Sequence, residues 1–199
     1  MIKLYESQIS GNCWKVRQML AHRELPYESI ELSVVDRSNR ADVIGGANPA
    51  LRVPTLILDD GRPLAESNAI MLYLAEGTEL IPEDPYERAQ VLQWLFYEQY
   101  DHEPNIAVAR FQLMYAAEPD EAAIERTQIG GRRVLATMDD HLRGRTFLVA
   151  ERYTVADIAL YAYTHVAGDG GFELSDYPAV QAWLARVAAQ PGHITLLGD

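Results

Sequence analysis

Val53-Pro54-Thr55-Leu56-Ile57-Leu58-Asp59-Asp60-Gly61-Arg62-Pro63-Leu64-Ala65-Glu66-Ser67-Asn68 carries, in one short run, the signals for two strands, a hairpin and a helix start. Pro54 enters the first strand at a position where no ladder donor is lost. Thr55 to Leu58 is an apolar run of strand length. Asp59-Asp60-Gly61-Arg62 has the chemistry of a tight turn, and Pro63-Leu64-Ala65 is a short returning strand. Glu66-Ser67-Asn68 then caps a helix that carries Ile70, Leu72, Tyr73 and Leu74. Working back toward the N-terminus, Ile2 to Tyr5 alternates as a half-buried strand. Ser10-Gly11-Asn12 turns into a helix that runs from Cys13 with Val16, Met19 and Leu20 at helical spacing, until Leu25-Pro26 stops it. Glu28 to Leu32 alternates again. The predicted order is β-α-β, an irregular link, then β-β-α.

Working forward, Pro82-Glu83-Asp84-Pro85 reads as a linker, and everything beyond it reads as helix. One helix is predicted from Tyr86 to Tyr115, with Leu92, Leu95, Phe96, Tyr100, Ile106 and Phe111. A second opens at Pro119 with Ile124, Ile129, Val134, Leu135 and Met138. Thr154-Val155-Ala156-Asp157 fits a capping box, with Asp for the commoner Glu, ahead of an apolar helix Ile158 to Val166. A last helix spans Val180 to Ala189 and ends at Pro191-Gly192. The fold class is therefore α/β plus all-α, with a domain at 1–78, a linker at 79–85 and a helical domain at 86–199.

Composition narrows the function. The chain has 199 residues, 48% of them apolar, which is enough for a real core. Its net charge of −12 argues against nucleic-acid binding, which needs a basic surface to displace counterions. No apolar run is long enough for a membrane span, and the N-terminus lacks the pattern of a signal peptide. The one cysteine, Cys13, excludes an intrachain disulfide framework and favours a reducing, cytoplasmic setting. The five histidines lack metal-ligand spacing, so no metal is expected. His102-Glu103 begins like a zinc-protease motif, but the second histidine is missing. There is no phosphate-binding glycine loop and no Gly-x-Ser-x-Gly elbow.

Four features remain, and a β-α-β-β-α unit would bring them together. Ser10 and Asn12 stand at the mouth of the opening helix, where unpaired N–H groups and roughly half a positive charge favour an anion such as a thiolate. The same residues also read as a plain cap and turn. At Val53-Pro54, a cis bond would leave the Val53 backbone open to a peptide-like ligand. Glu66 and Ser67 could pair with an ammonium and a carboxylate on one carbon, the chemistry of an α-amino acid. Arg37, Arg40 and Arg52 could balance a second carboxylate, or be solvated loop charges.

In this order and spacing, four stretches resemble the soluble, cytosolic-type glutathione S-transferase family, as a bacterial-like serine-type member. They are Ser10-Gly11-Asn12-Cys13, Asn48 to Leu56, Glu66-Ser67-Asn68-Ala69-Ile70 and Thr154-Val155-Ala156-Asp157-Ile158-Ala159. The resemblance covers essentially the whole chain. It implies a thioredoxin-like domain followed by an all-helical domain, with glutathione as cosubstrate and no metal. Ser10, with Asn12, would stabilise the glutathione thiolate. Arg40, Arg52, Val53, Pro54, Glu66 and Ser67 would bind glutathione. An electrophilic small molecule would lie between the domains against Trp14, His102, Glu103, Asn105 and Arg110. The resemblance also implies a homodimer, with Asp101 near the partner's γ-glutamyl site. Cys13 is expected in the core, and Thr154 and Asp157 as a folding cap. Leu51 stands where many members have Gly, which puts the turn before the proline in doubt. A glutathione-dependent disulfide-bond reductase and a non-catalytic binding protein are the alternatives.

Overall fold

The computed structural model describes residues 1–197. The chain divides into two compact units: residues 1–78 with the tail from Pro191, and residues 79–190. The tail was expected in the helical half. It belongs to the first unit because side chains of the opening helix hold it.

The first unit is built on a four-stranded sheet in the order β2-β1-β3-β4. β1 (Ile2–Glu6) runs parallel to β2 (Tyr27–Glu31) and antiparallel to β3 (Thr55–Ile57), which pairs antiparallel with β4 (Pro63–Ala65). Two parallel strands need a helical crossover, and α1 (Gly11–His22) supplies it. Leu4 and Leu56, register partners on β1 and β3, are fully buried with Val16 and Met19 of α1 and Ile70 and Met71 of α3 (Ser67–Ala75). The irregular link contains one short helix, α2 (Arg40–Ile44).

Pairing of Tyr5 with Thr55, and of Thr55 with Ala65, aligns three chain breaks at one end of the sheet: the turn after β1, the entry to β3 and the exit from β4. All the expected glutathione residues except Arg40 lie at these breaks. Beneath them, Arg17 of α1 and Glu6 of β1 form a wholly internal ion pair. Glu6 also accepts a hydrogen bond from Ser29 Oγ at 2.7 Å, and Arg17 donates to the Gln8 and Leu196 carbonyls. The tail is held further along α1. Gln18 donates to Gly192 O at 2.8 Å and accepts from Ile194 N–H at 2.9 Å, and Trp14 Nε1 donates to Ile194 O at 3.0 Å.

The second unit is helical. The single helix expected over 86–115 is in fact two, α4 (Pro85–Tyr97) and α5 (Glu103–Met114), joined by a π-turn at Glu98–His102. Pro104 explains the break, since it has no N–H to give to an α-helical ladder and its ring crowds the preceding turn. The turn widens, Glu103 N–H bonds Glu98 O, and the Asp101 carbonyl instead accepts from Asn105 Nδ2 at 2.6 Å. Two expected apolar positions, Phe96 at the end of α4 and Tyr100 within the π-turn, lie on the surface, 71% and 84% exposed. The next helix, α6 (Glu121–Leu142), opens two residues after Pro119 because Asp120 is its cap, accepting from Ala123 N–H at 3.0 Å.

The capping box on α7 (Val155–Thr164) is present: Thr154 Oγ1 accepts from Ala156 N–H, and Asp157 accepts from Thr154 N–H at 2.9 Å. Asp157 also accepts from Leu148 N–H and from the indole of Trp183 on α8 (Pro178–Ala188), so it ties a loop and a second helix to the cap. No helix among the described residues is long and apolar enough to cross a membrane.

Candidate functional site

Ser10 is the N-cap of α1, with extended backbone, and its Oγ accepts from Cys13 N–H at 3.3 Å. That bond uses a lone pair. Among the described residues, nothing accepts the Ser10 hydroxyl proton, so one donor remains at a helix end whose own N–H groups are directed outward. Cys13 lies one turn inside, with no exposed surface. Burial pushes its thiol up to about 12, against the lowering effect of bonds from Ser10 and Ser7. It is a core residue and no nucleophile.

The entry to β3 is braced by one buried asparagine. Asn48 Nδ2 donates to Arg52 O and to Thr55 Oγ1, each at 2.9 Å, and Asn48 Oδ1 accepts from Ala50 N–H. Leu51 takes φ 54, so the left-handed turn exists without the glycine. Such a backbone costs a bulky residue roughly 1–2 kcal/mol. The Val53–Pro54 bond is cis. Among the described residues, neither the N–H nor the C=O of Val53 takes a hydrogen bond.

Glu66 occupies the joint between β4 and α3 with φ 67, a left-handed value that a glutamate seldom adopts. Its side chain caps nothing and, among the described residues, has no ion-pair partner. It is exposed beside the first turn of α3, where Ser67 is buried. Ser67 Oγ donates to Asn12 Oδ1 at 3.2 Å, which joins the α3 end to the α1 end. Lys15 Nζ, on fully buried Lys15, lies 3.4 Å from both Ser67 Oγ and Asn68 Oδ1. The sequence reading missed Lys15. Its one signal was a lysine one step from Val16 on a helix whose facing residues are apolar.

Several expected contacts fall elsewhere. Arg52 is exposed. Arg40 is only 3% exposed; it donates to Leu51 O at 2.9 Å and Ser33 O at 2.6 Å, and its Nε has no partner among the described residues. It works as an internal clamp on the loop before β3. Arg37 donates to Val34 O at the surface.

Three of the five residues expected to face a second substrate are interior. Trp14 has no exposed surface and lies against His193 of the tail. His102 is wholly buried, with Nε2 2.8 Å from Thr164 Oγ1. Arg110 is held by Asp169 at 3.0 Å and by the Tyr115 hydroxyl at 2.9 Å. These side chains are consumed by packing, which a linear pattern of polar residues cannot reveal. Glu103 and Asn105 are part-exposed, and Asn105 packs on Gly130, where a Cβ would come within 2.0 Å of its Oδ1. Among the described residues, no group of His, Cys, Asp or Glu could hold a metal ion.

The comparisons agree with this architecture. The glutathione S-transferase N-terminal domain model matches residues 4–80, and the glutathione S-transferase C-terminal domain model matches residues 92–191. The chain belongs to the glutathione S-transferase family. It is similar to the crystal structure of a glutathione S-transferase from Pseudomonas fluorescens, at 44% identity and a TM-score of 0.94 over 98% of each chain. The disulfide-bond oxidoreductase YfcG of Escherichia coli is 30% identical over 96% of this chain and 92% of its own. Ure2p, a yeast prion protein solved in complex with glutathione, matches 96% of this chain and 95% of its own at 25% identity and a TM-score of 0.86.

Proposed function

We propose that the protein binds glutathione at the aligned end of its sheet and conjugates the thiolate to an electrophilic small molecule. The observation that carries this reading is the uncommitted Ser10 hydroxyl proton at the N-terminus of α1. A cysteinyl sulfur held there meets a hydroxyl donor and a helix end, both of which favour the anion. The free Val53 N–H and C=O suit the backbone of the same cysteinyl residue. The unpaired Glu66 carboxylate suits an α-ammonium, and the Ser67 end of α3 suits the α-carboxylate beside it. Exposed Arg52 suits the glycyl carboxylate.

The thiol proton passes to water. The sulfur then forms a bond to the electrophilic carbon, and the leaving group, a halide for an aryl halide, departs with the bonding pair. The protein contributes placed donors, and no covalent intermediate forms on it. Replacing Glu66 by Ala is expected to raise the KM for glutathione about tenfold, the low end for a hydrogen bond to a charged group, with kcat nearly unchanged. An unchanged KM removes Glu66 from the site.

A second reading has one specific support, the similarity to YfcG, whose name is that of a disulfide-bond oxidoreductase. In it, the same thiolate attacks a disulfide, one thiol leaves, and a second glutathione resolves the mixed disulfide, giving oxidised glutathione and two thiols. Buried Cys13 takes no part. Retention on immobilised glutathione, followed by parallel assays with an aryl halide and a small disulfide, separates the readings. Turnover of the aryl halide alone supports conjugation, and turnover of the disulfide alone supports reduction. No retention leaves a fold used for other binding.

We further infer a cytoplasmic homodimer. The second unit carries an open groove of about 690 Å³ between the π-turn and α6, lined by Asp101 and Glu125 alongside Arg126 and Arg133. Exposed Phe96 and Tyr100 lie on the adjoining α4 and π-turn. Mixed charge beside exposed aromatic rings suits a self-complementary contact. Light scattering checks it against the 22.3 kDa of one chain.

A further inference from the structure

We propose that Lys15 is a positioning residue that sets which edge of the Asn12 amide faces the glutathione sulfur. The inference rests on the glutathione reading above and concerns a residue behind the site. Only two of the 17 basic residues are lysines, and one of them is wholly inside the first unit. Its Nζ lies 3.4 Å from Ser67 Oγ, which in turn lies 3.2 Å from Asn12 Oδ1.

The direction of this chain of bonds follows from what each group can do. An ammonium carries three donors and no acceptor. Ser67 Oγ therefore accepts from Lys15, and its single hydroxyl proton has, among the described residues, Asn12 Oδ1 as its acceptor. Asn12 then has to present its carbonyl oxygen to Ser67, which turns its NH2 edge the other way. The NH2 edge is the one that stabilises an anion, whereas the carbonyl edge would repel a thiolate. With the ammonium in place, an amide turned NH2-first would set a second donor on Ser67 Oγ, close to a positive charge, and leave the hydroxyl proton without its acceptor; without the ammonium that penalty falls and the amide can rotate by half a turn. Lys15 thus links the carboxylate end of the bound tripeptide, at Ser67, to its sulfur end, at Asn12.

Other charged and titratable groups bear on α1 at this point. Cys13 feels Glu6 and Arg17 from within the unit, and Arg40 from α2. Exposed Glu66 stands at the α3 joint. The Cys13 thiol, pushed up to about 12, stays protonated over the working range, so thiolate absorbance in the complex reports the guest.

The test is a pH titration of thiolate absorbance with glutathione bound, for the wild type, Lys15→Met and Lys15→Arg. Lys15→Met removes the donor and keeps the bulk. It is expected to raise the thiol midpoint by about one unit, the equivalent of one hydrogen bond to an anion. It should lower kcat at pH 6 several-fold while changing KM less than Glu66→Ala does. Lys15→Arg, also donor-only, should restore most of the midpoint. A purely structural role would move neither the midpoint nor its rescue. A wild-type midpoint lowered relative to free glutathione, and retained in folded Lys15→Met, overturns this inference and leaves the glutathione reading intact. A wild-type midpoint equal to that of free glutathione overturns both. If Lys15→Met does not fold, Ser67→Ala decides: the same upward shift supports the relay, and an unmoved midpoint overturns it.

Discussion

Ser10→Ala is expected to move the acid limb of the pH–rate profile up by about one unit and to lower turnover about threefold at pH 6, with glutathione affinity nearly intact. A free cysteine thiol ionises near 8.5, and a helix-end donor set that holds it near 6.5 supplies about 2.7 kcal/mol of differential stabilisation, of which the hydroxyl is about half. At pH 6, losing that half cuts the thiolate fraction by a factor of roughly 8. The more basic thiolate that remains is also a better nucleophile, by about threefold over one unit, which leaves the net loss near threefold. Above pH 9 the two effects reverse in importance, and the variant should match or exceed the wild type. A uniform loss at all pH values would mean that Ser10 acts only as the cap of α1. Unchanged turnover at pH 6 would remove it from the mechanism.

Asp157→Ala is expected to destabilise the second unit by about 3–5 kcal/mol, a drop in Tm of the order of 10 °C. Asp157 is wholly buried and accepts four hydrogen bonds, from Leu148 N–H, Thr154 N–H, Thr154 Oγ1 and Trp183 Nε1. An alanine leaves these donors without an acceptor in the interior, and each costs about 1–3 kcal/mol. The loss also depends on pH. Burial pushes the Asp157 carboxyl from 3.8 up to about 6. A folded-state value above the unfolded one means that folding favours the protonated form. Its contribution is complete below pH 4 and is lost as pH rises through 6. The Tm gap between the wild type and Asp157→Ala should therefore be widest near pH 4 and narrower at pH 7. A gap that widens with rising pH would show that the donors, and not burial, control this carboxyl.

The two predictions draw on different layers of information. Ser10 and the Thr154–Asp157 box were legible because capping is local: a hydroxyl or carboxylate meets N–H groups two or three residues away, so the pattern is present in the order of residues. The hairpin after Leu58 and the helix entry at Glu66 were legible for the same reason. Their backbone conformations are set by Gly61 and by the chain's own near neighbours. Leu51 was misleading in this respect, because the loop held by Asn48 and Arg40 imposes a glycine-like backbone on a leucine.

Long-range packing was not legible. Trp14, His102 and Arg110 stand as second-substrate residues only through the family resemblance, which carries position along the chain and not burial. Whether a side chain faces a ligand or the interior depends on what comes to cover it. For Trp14 that is a tail 180 positions away in sequence. The π-turn ahead of Pro104 likewise shifts every later position on its helix by a fraction of a turn, which periodicity alone carries past unnoticed.

From the residues alone came the order of strands and helices, the caps that start the helices and the membership of a two-part fold, because each rests on bonds between near neighbours. The tertiary structure alone decided that Lys15 reaches Ser67, that Ser67 reaches Asn12 and that the tail is pinned to α1. Those contacts join groups that the chain separates widely, and only closure of the sheet and its helices brings them within hydrogen-bond reach.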